Sequence, residues 1–228
     1  VVVAIPCYNE ERTISKVVGD FVRVLPGAEI LVMDNASTDG SADLARRAGA
    51  RVGSERRRGK GHVVRSIFDE VDADICVLVD GDDTYPTEDV HALLEPLIRG
   101  DADMVVGNRL ESTPRGALSP FRRLGNLLFL GLVNLVTRQS FEDILCGFRA
   151  MNRKFFKTVT PTSGGFEIET ELTLRGVRSG MRIREVPIGY RARPEGSYSK
   201  LSPLKDGCRI LAMIARVLVE RKEVVKGS

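Results

Sequence analysis

The feature that most constrains this chain is an alternation in its N-terminal half. Short apolar runs each end in a polar loop and are followed by a helical pattern. Val1–Ile5, Glu29–Met33 and Asp74–Val79 read as strands, with a shorter one near Ala50–Val52. Between the first two, Glu11–Leu25 places Ile14, Val17, Val18, Phe21, Val22 and Leu25 at helical spacing and stops at Pro26-Gly27. Ser41–Ala48 is the next helix, closed by Gly49, and a third runs from the basic loop Arg56–Gly61 through Val71. Such alternation calls for a parallel sheet with right-handed crossovers. Ligands of these sheets bind beyond the C-terminal strand ends. The loops at Pro6–Glu10, Asp34–Gly40 and Asp80–Asp83 therefore converge on one crevice.

The second half is less regular. Met104–Gly107, Ile144–Met151 and Arg182–Tyr190 read as strands, and Phe121–Thr137, Phe166–Gly176 and Pro203–Arg221 as helices, the last amphipathic. Pro114–Pro120 and Arg193–Ser202 are the candidate mobile loops. At 228 residues and 43% hydrophobic, the chain suits one folded domain, taken here as 1–228. No apolar run is long enough to span a bilayer, and the opening Val1–Pro6 lacks a signal-peptide pattern. Cys7, Cys76, Cys146 and Cys208 form no C-x-x-C pair and read as reduced thiols. His62 and His91 do not cluster with them, which argues against zinc. Charge is lopsided: residues 1–108 hold 12 Lys/Arg against 20 Asp/Glu (net −8), and 109–228 hold 22 against 11 (net +11). An acidic half for a metal and a basic half for an anionic acceptor or membrane face would account for this; ordinary solvated surface is the alternative.

Asp80-x-Asp82 closes an apolar strand. Residues i and i+2 of an extended chain share a side, so both carboxylates are expected to face one hard cation, Mg2+ or Mn2+. Gly81 between them is expected to let backbone approach a phosphate; an acidic turn is the alternative. In the neighbouring loops Tyr8 offers a ring for base stacking, and Glu10, Asp34 and Asn35 offer hydrogen bonds to base and ribose. Asp39 and Ser41 are read chiefly as caps of the next helix. Lys60 is a candidate diphosphate or base contact, with the rest of its arginine cluster solvated. The chain lacks both G-x-x-x-x-G-K-[ST] and an early G-x-G-x-x-G, which argues against P-loop and dinucleotide chemistry.

Ile5-Pro6-Cys7-Tyr8-Asn9-Glu10, Asp34 to Gly40, Arg58-Gly59-Lys60-Gly61 and Asp80-Gly81-Asp82 resemble, in order, the motifs of family 2 glycosyltransferases. Asn108-Arg109, Asp143 to Arg149, Glu185-Val186-Pro187-Ile188 and Arg193 to Leu201 resemble the polyprenyl-phosphate sugar synthase branch, which includes dolichol-phosphate mannose synthases. The resemblance spans about Val3 to Arg209. It implies the GT-A fold, an α/β, Rossmann-like single domain with a mostly parallel central sheet flanked by helices. It also implies an inverting, metal-dependent transfer from a UDP- or GDP-linked sugar to a polyprenyl phosphate.

By the same resemblance, Asp80 and Asp82 face metal and diphosphate, and Pro6, Tyr8, Glu10 and Asn35 line the nucleoside pocket. Arg109, Arg122 or Arg123, Arg193 and Lys200 hold the acceptor phosphate or close over the donor. The halves then divide as nucleotide-sugar and metal binding (1–108) and acceptor binding (109–228). Thr84 stands where some relatives carry a metal-contacting Gln, and Gly196–Lys200 is one residue longer than the G-x-S-K form. Many relatives carry C-terminal membrane spans; this chain has none. Asp143 and Arg149 are read either as catalytic or as a structural ion pair. A hydroxyl acceptor would need a general base, with Asp143 and Glu167 as candidates. The helices at 121–137 and 203–221 suit peripheral contact with the cytoplasmic face of a membrane, or an oligomer interface over an ordinary core. No nucleic-acid partner is expected. The competing classes are a nucleotidyltransferase and a non-catalytic nucleotide-sugar-binding protein.

Overall fold

The computed structural model describes residues 1–109, 120–194, 198, 200 and 202–220, with backbone alone over 120–127 and 203–204. The expected βα alternation holds. Strand β1 (Val2–Cys7) leads to α1 (Ile14–Val24), β2 (Glu29–Asp34) to α2 (Ser41–Arg47), and β3 (Arg51–Ser54) to α3 (Lys60–Glu70). Then come β4 (Ile75–Leu78), a 3-10 turn (Thr87–Asp89), α4 (Val90–Ile98), β5 (Met104–Asn108) and α5 (Pro120–Thr137). The last described elements are β6 (Arg149–Asn152), α6 (Arg153–Thr158), α7 (Ile168–Arg178), β7 (Ile183–Pro187) and α8 (Pro203–Val219).

One seven-stranded sheet runs in the order β3-β2-β1-β4-β6-β5-β7. All neighbours pair in parallel except β6, which is antiparallel to both β4 and β5. The sheet is thus mostly parallel, as expected. Its central strands are apolar on both faces because helices cover both: Val3, Ala4, Ile5, Leu31, Val32, Val77 and Val105 are all fully buried. Full burial of one such Val, Leu or Ile stabilises the fold by roughly 1.5–3 kcal/mol.

Two helices escape the sequence reading. Helix α4 buries Val90, Leu93, Leu94 and Leu97 at helical spacing, but Pro96 inside it interrupts the pattern. The six-residue α6 is capped by Asn152, whose side chain accepts the Phe155 N–H at 2.9 Å. The strand expected over Ile144–Met151 is shortened to β6, because residues 143–148 turn away from the sheet toward the crevice. A second cluster, separate from the main core, joins Val133 of α5, Leu174 of α7 and Ile210, Met213, Ile214 and Val217 of α8. Among the described residues no helix is long and apolar enough to cross a membrane. Most of Pro114–Pro120 and much of Arg193–Ser202 lie outside the described residues.

Candidate active site

Loops following β1, β2 and β4 meet at the C-terminal edge of the sheet. Each contains a non-glycine residue in the left-handed region: Asn9 (φ 52°), Ala36 (φ 55°) and Asp83 (φ 59°). Such backbone persists only where surrounding contacts over-determine it. Those contacts stitch the loops together. The Asn9 N–H donates to Ser37 Oγ at 3.0 Å, the Glu10 N–H to Ser41 Oγ at 2.7 Å, and the Thr38 N–H to Asn9 Oδ1 at 2.8 Å. The N-cap of α2 is Gly40, without a side-chain cap, so Asp39 and Ser41 are not the caps expected: Asp39 accepts the Ser41 N–H at 3.0 Å and the Glu11 N–H at 3.3 Å.

Asp80 and Asp82 converge in a way that differs from the expected one. The extended strand ends at Leu78, and Gly81-Asp82 lie in a turn. The two carboxylates are placed by that turn and not by strand alternation. Gly81 also serves another purpose than expected: a Cβ there would face Ile5 and Ile14 at 3.3 Å, so the glycine makes room for core. The close approach falls instead at Gly147, where a Cβ would collide with Asp80 Oδ2 and crowd Lys60 Nζ.

Asp80 Oδ1 accepts from Lys60 Nζ at 2.5 Å, and the same ammonium donates to Glu169 of α7 at 2.7 Å. Burial alone would raise the Asp80 pKa, but the Lys60 charge and hydrogen bond bring it below the ordinary carboxylate range. Asp82, 3% exposed, moves the opposite way, raised first by burial and then by the Asp80 charge. Its Oδ1 accepts from the Thr84 N–H at 3.1 Å and Thr84 Oγ1 at 2.6 Å, and its Oδ2 faces Arg193 at 2.5 Å.

Two carboxylates pushed apart in pKa, with Gly147 leaving space beside Asp80, form a hard-oxygen donor set that fits a divalent cation. Among the described residues no cluster of three His, Cys, Asp or Glu completes a metal site. Asp80 and Asp82 would hold the ion, and the rest of its shell would come from ligand oxygens.

The nucleoside candidates separate. Asn35 is committed to its own fold: Nδ2 donates to the Glu55 and Arg57 carbonyls at 2.9 and 2.8 Å, and Oδ1 accepts the Gly59 N–H at 2.8 Å. Both amide hydrogens are spent within the fold, and the second lone pair of Oδ1 is what the side chain can still offer. Asp34 Oδ2 accepts the Ser37 N–H at 3.2 Å, while its buried Oδ1 has no hydrogen-bond partner among the described residues. Pro6 is half-buried in β1. Arg56, Arg57 and Arg58 are exposed, as expected, with Arg58 4.2 Å over the Tyr8 ring and Arg57 paired with Glu55 at 2.7 Å. Glu10, its pKa raised by burial, pairs with Lys200, which also donates to the Asn9 carbonyl at 3.1 Å.

On the acceptor side, Arg109 lies against Asp143 through Nε (2.7 Å), Nη2 (2.8 Å) and its backbone N–H (3.2 Å), with its guanidinium 5.3 Å from the Tyr190 ring. The expected Asp143–Arg149 ion pair does not form; Asp143 pairs with Arg109, and Arg149 reaches backbone carbonyls. Glu185 accepts the Glu142 and Asp143 N–H groups at 2.8 and 2.7 Å, holding that carboxylate from behind. Glu167 Oε1 accepts the Gly165 N–H at 3.1 Å, and its Oε2 is buried without a partner among the described residues. The side chains of Arg122 and Arg123 lie outside the described residues. Cys7, Cys76 and Cys146 are buried free thiols pushed up to about 12, 12 and 11, chiefly by burial; Cys208 is exposed.

A crevice with this strand-end pair of carboxylates, ringed by Lys60, Arg109, Arg193 and Lys200, is built for a polyanion. The model of glycosyl transferase family 2 matches residues 2–160. The chain belongs to this family. It is 39% identical over 203 residues to glycosyltransferase AglJ of Haloferax volcanii, covering 89% of this chain and 66% of that one. It is 33% identical over 221 residues to a dolichyl-phosphate hexose transferase of the same organism, covering 94% and 92%. Among solved structures, glucosyl-3-phosphoglycerate synthase from Mycobacterium tuberculosis, in complex with Mn2+, UDP and phosphoglyceric acid, superposes with a TM-score of 0.78 at 25% identity. That match covers 97% of this chain and 79% of the other. This glycosyltransferase therefore has the GT-A architecture. The residues that sequence reasoning passed over are Glu169, Gly147 and Tyr85. A carboxylate in the first turn of an otherwise core-facing helix was the signal for the first.

Proposed function

We propose that this glycosyltransferase moves a sugar from a UDP- or GDP-linked donor to a polyprenyl phosphate, with inversion at the anomeric carbon and dependence on Mg2+ or Mn2+. The observation that carries the reading is the pairing of Asp80 and Asp82 with the cationic side chains of Lys60 and Arg193 at one strand end. The likeness to the dolichyl-phosphate hexose transferase supports a lipid phosphate as acceptor.

In this reading Tyr8, Glu10 and Asp34 receive the nucleoside. Asp80 and Asp82 would hold a divalent cation, which when bound would neutralise diphosphate charge and so stabilise the leaving nucleoside diphosphate. Lys60 and Arg193, now on carboxylates, turn toward phosphate oxygens when the donor binds. An acceptor phosphate is already ionised at neutral pH, so no side chain need remove a proton from it. Arg109 and Lys200, with Arg122 or Arg123, neutralise and orient it. One phosphate oxygen then bonds to the anomeric carbon as the bond from that carbon to the diphosphate breaks, and the electron pair leaves with the diphosphate. The enzyme works at the cytoplasmic face of the membrane that carries its acceptor.

A second reading has a specific support: the superposed synthase was crystallised with phosphoglyceric acid, a small phosphorylated acceptor. The test is nucleoside diphosphate release from a donor panel, with Mg2+ or Mn2+, in the presence of a short polyprenyl phosphate or of soluble hydroxyl acceptors. Lipid-dependent release that falls by two orders of magnitude or more in Asp82→Ala is the expected result. Release that ignores the lipid and follows a hydroxyl acceptor overturns the acceptor assignment, and an active Asp82→Ala overturns the metal site.

A further inference from the structure

Beneath the crevice lies a guanidinium that no carboxylate touches among the described residues, although Glu169 and Asp143 act on it through space. Arg149 opens β6 and is 1% exposed, yet among the described residues it makes no salt bridge. Its nitrogens go to uncharged oxygens: Nε to the Cys146 carbonyl (2.8 Å), Nη2 to the Ile144 carbonyl (2.5 Å) and Nη1 to Thr173 Oγ1 (3.0 Å). Burying an arginine without a carboxylate in direct contact is costly, even with Glu169 and Asp143 acting at a distance, and an apolar residue of similar volume would serve the core as well. Its retention calls for something that packing alone does not supply.

The three bonds tie together two elements that each carry part of the site. The Ile144 and Cys146 carbonyls belong to the loop whose Asp143 clamps Arg109 and whose Gly147 abuts Asp80 and Lys60. The same loop is held from the far side by Tyr85, whose hydroxyl accepts the Gly147 N–H at 3.1 Å. Thr173 sits one turn after Glu169 on α7, and its hydroxyl donates to the Glu169 carbonyl at 3.3 Å. Glu169 in turn holds Lys60. A planar fork spans these partners in fixed directions, as an ammonium on a flexible stem does not.

We propose that Arg149 is a positioning residue, which fixes the 143–147 loop against α7 and thereby sets Arg109 and the Lys60–Asp80 pair for transfer. The inference rests on the reading of the Asp80–Asp82 crevice as the donor site, but not on the identity of the acceptor.

The test compares Arg149→Lys, Arg149→Ala and Thr173→Val with wild type on whichever donor and acceptor wild type turns over. A wrong acceptor assignment then shows in wild type, and a wrong role for Arg149 only in the variants. Fold is checked by near-UV circular dichroism, and if Arg149→Ala does not fold, Arg149→Lys carries the test. The expected result is a folded Arg149→Lys with donor KM within about threefold and kcat lowered about tenfold or more, the scale of a small misplacement of reacting groups. Guanidinium at low millimolar concentration should restore part of kcat in Arg149→Ala where methylammonium does not. Independently of turnover, the Arg109 Nε–H, held by Asp143 in wild type, should exchange faster with solvent in Arg149→Lys by 15N NMR. Thr173→Val should lower kcat less than Arg149→Lys and add little to it in the double variant. A folded Arg149→Lys with kcat within twofold of wild type and unchanged Arg109 exchange would overturn the proposal. So would a loss of activity in Arg149→Ala that only follows the unfolded fraction and ignores guanidinium.

Discussion

Thr84 holds Asp82 twice, through its amide and its hydroxyl, and both bonds end on the same carboxylate oxygen. Oriented this way, Asp82 keeps its other oxygen toward the crevice and Arg193. Outer partners of this kind typically contribute about 10- to 100-fold to metal affinity. Thr84→Val should therefore weaken Mn2+ binding in the presence of UDP by about tenfold, read by electron paramagnetic resonance of the free ion, while leaving the fold intact. Unchanged affinity would mean that the backbone bond alone orients the carboxylate. Strand-end placement alone pointed to Asp34, Asp80 and Asp82 as candidates, and the structure brings Asp80 and Asp82 side by side. Partner choice was not legible. Asp143 and Arg149 are close in sequence and opposite in charge, yet Asp143 turns to Arg109, from a different strand end. Asn35 has the right chemistry for a nucleoside, yet both its amide hydrogens go to the carbonyls of Glu55 and Arg57. Such choices are decided by long-range packing, which a linear pattern does not carry.

At the scale of elements, the glycines of Arg58-Gly59-Lys60-Gly61 have a use that the sequence did not disclose. A Cβ at Gly61 would run into the Ser163 carbonyl, and one at Gly59, which has φ 128°, into the Gly164 carbonyl. The start of α3 thus docks backbone to backbone on the approach to α7, and this close docking points Lys60 at Asp80 and Glu169 together. Glu171, fully buried, holds the other side of that approach by accepting the Thr162 and Ser163 N–H groups. Gly61→Ala should destabilise the protein by about 1–3 kcal/mol in urea unfolding and lower kcat beyond what the unfolded fraction explains. A stable, fully active variant would show that α3 shifts freely. The contact joins segments about a hundred positions apart, which is why the purpose of these glycines cannot be read locally.

Asp103 does comparable work at the opposite edge of the sheet. It accepts from the Arg182 N–H at 2.8 Å and from Asn152 Nδ2 at 3.0 Å, joining β5, β6 and β7. Burial alone would raise its pKa, but these bonds and the Arg182 side chain bring it to about 2, below the ~3.9 of an unfolded Asp. A depressed carboxyl stabilises the fold above its unfolded value and loses that contribution as pH falls through its folded value. Unfolding free energy should therefore decline between about pH 4 and pH 2. Asp103→Asn should start lower at neutral pH and show a shallower decline; an identical slope would place the acid sensitivity elsewhere.

The whole molecule is polarised, net −8 over residues 1–108 and net +11 over 109–228. The basic part also carries the second core, and on its outside α5 and α8 leave Leu128, Leu135, Leu211, Leu218 and Val219 exposed, the last at 85%. Apolar side chains beside Lys205, Arg209 and Arg216 on α8 are the composition of a helix that lies in a lipid interface. A lipid-linked acceptor would reach the crevice only if the enzyme met the bilayer near this side, and each Lys or Arg near an anionic surface contributes about 1 kcal/mol to binding. The protein should co-sediment with vesicles containing phosphatidylglycerol and not with purely zwitterionic ones. The bound fraction should fall as salt rises from ~50 to ~500 mM, as screening shortens the reach of those charges. Leu211→Glu with Leu218→Glu should weaken binding even at low salt, because they remove the apolar half of the contact, while turnover on a detergent-solubilised acceptor stays near wild type. If vesicles are ignored at every salt and the protein instead gains mass with concentration in sedimentation, the same apolar face joins copies of this chain, and the acceptor must arrive by another route.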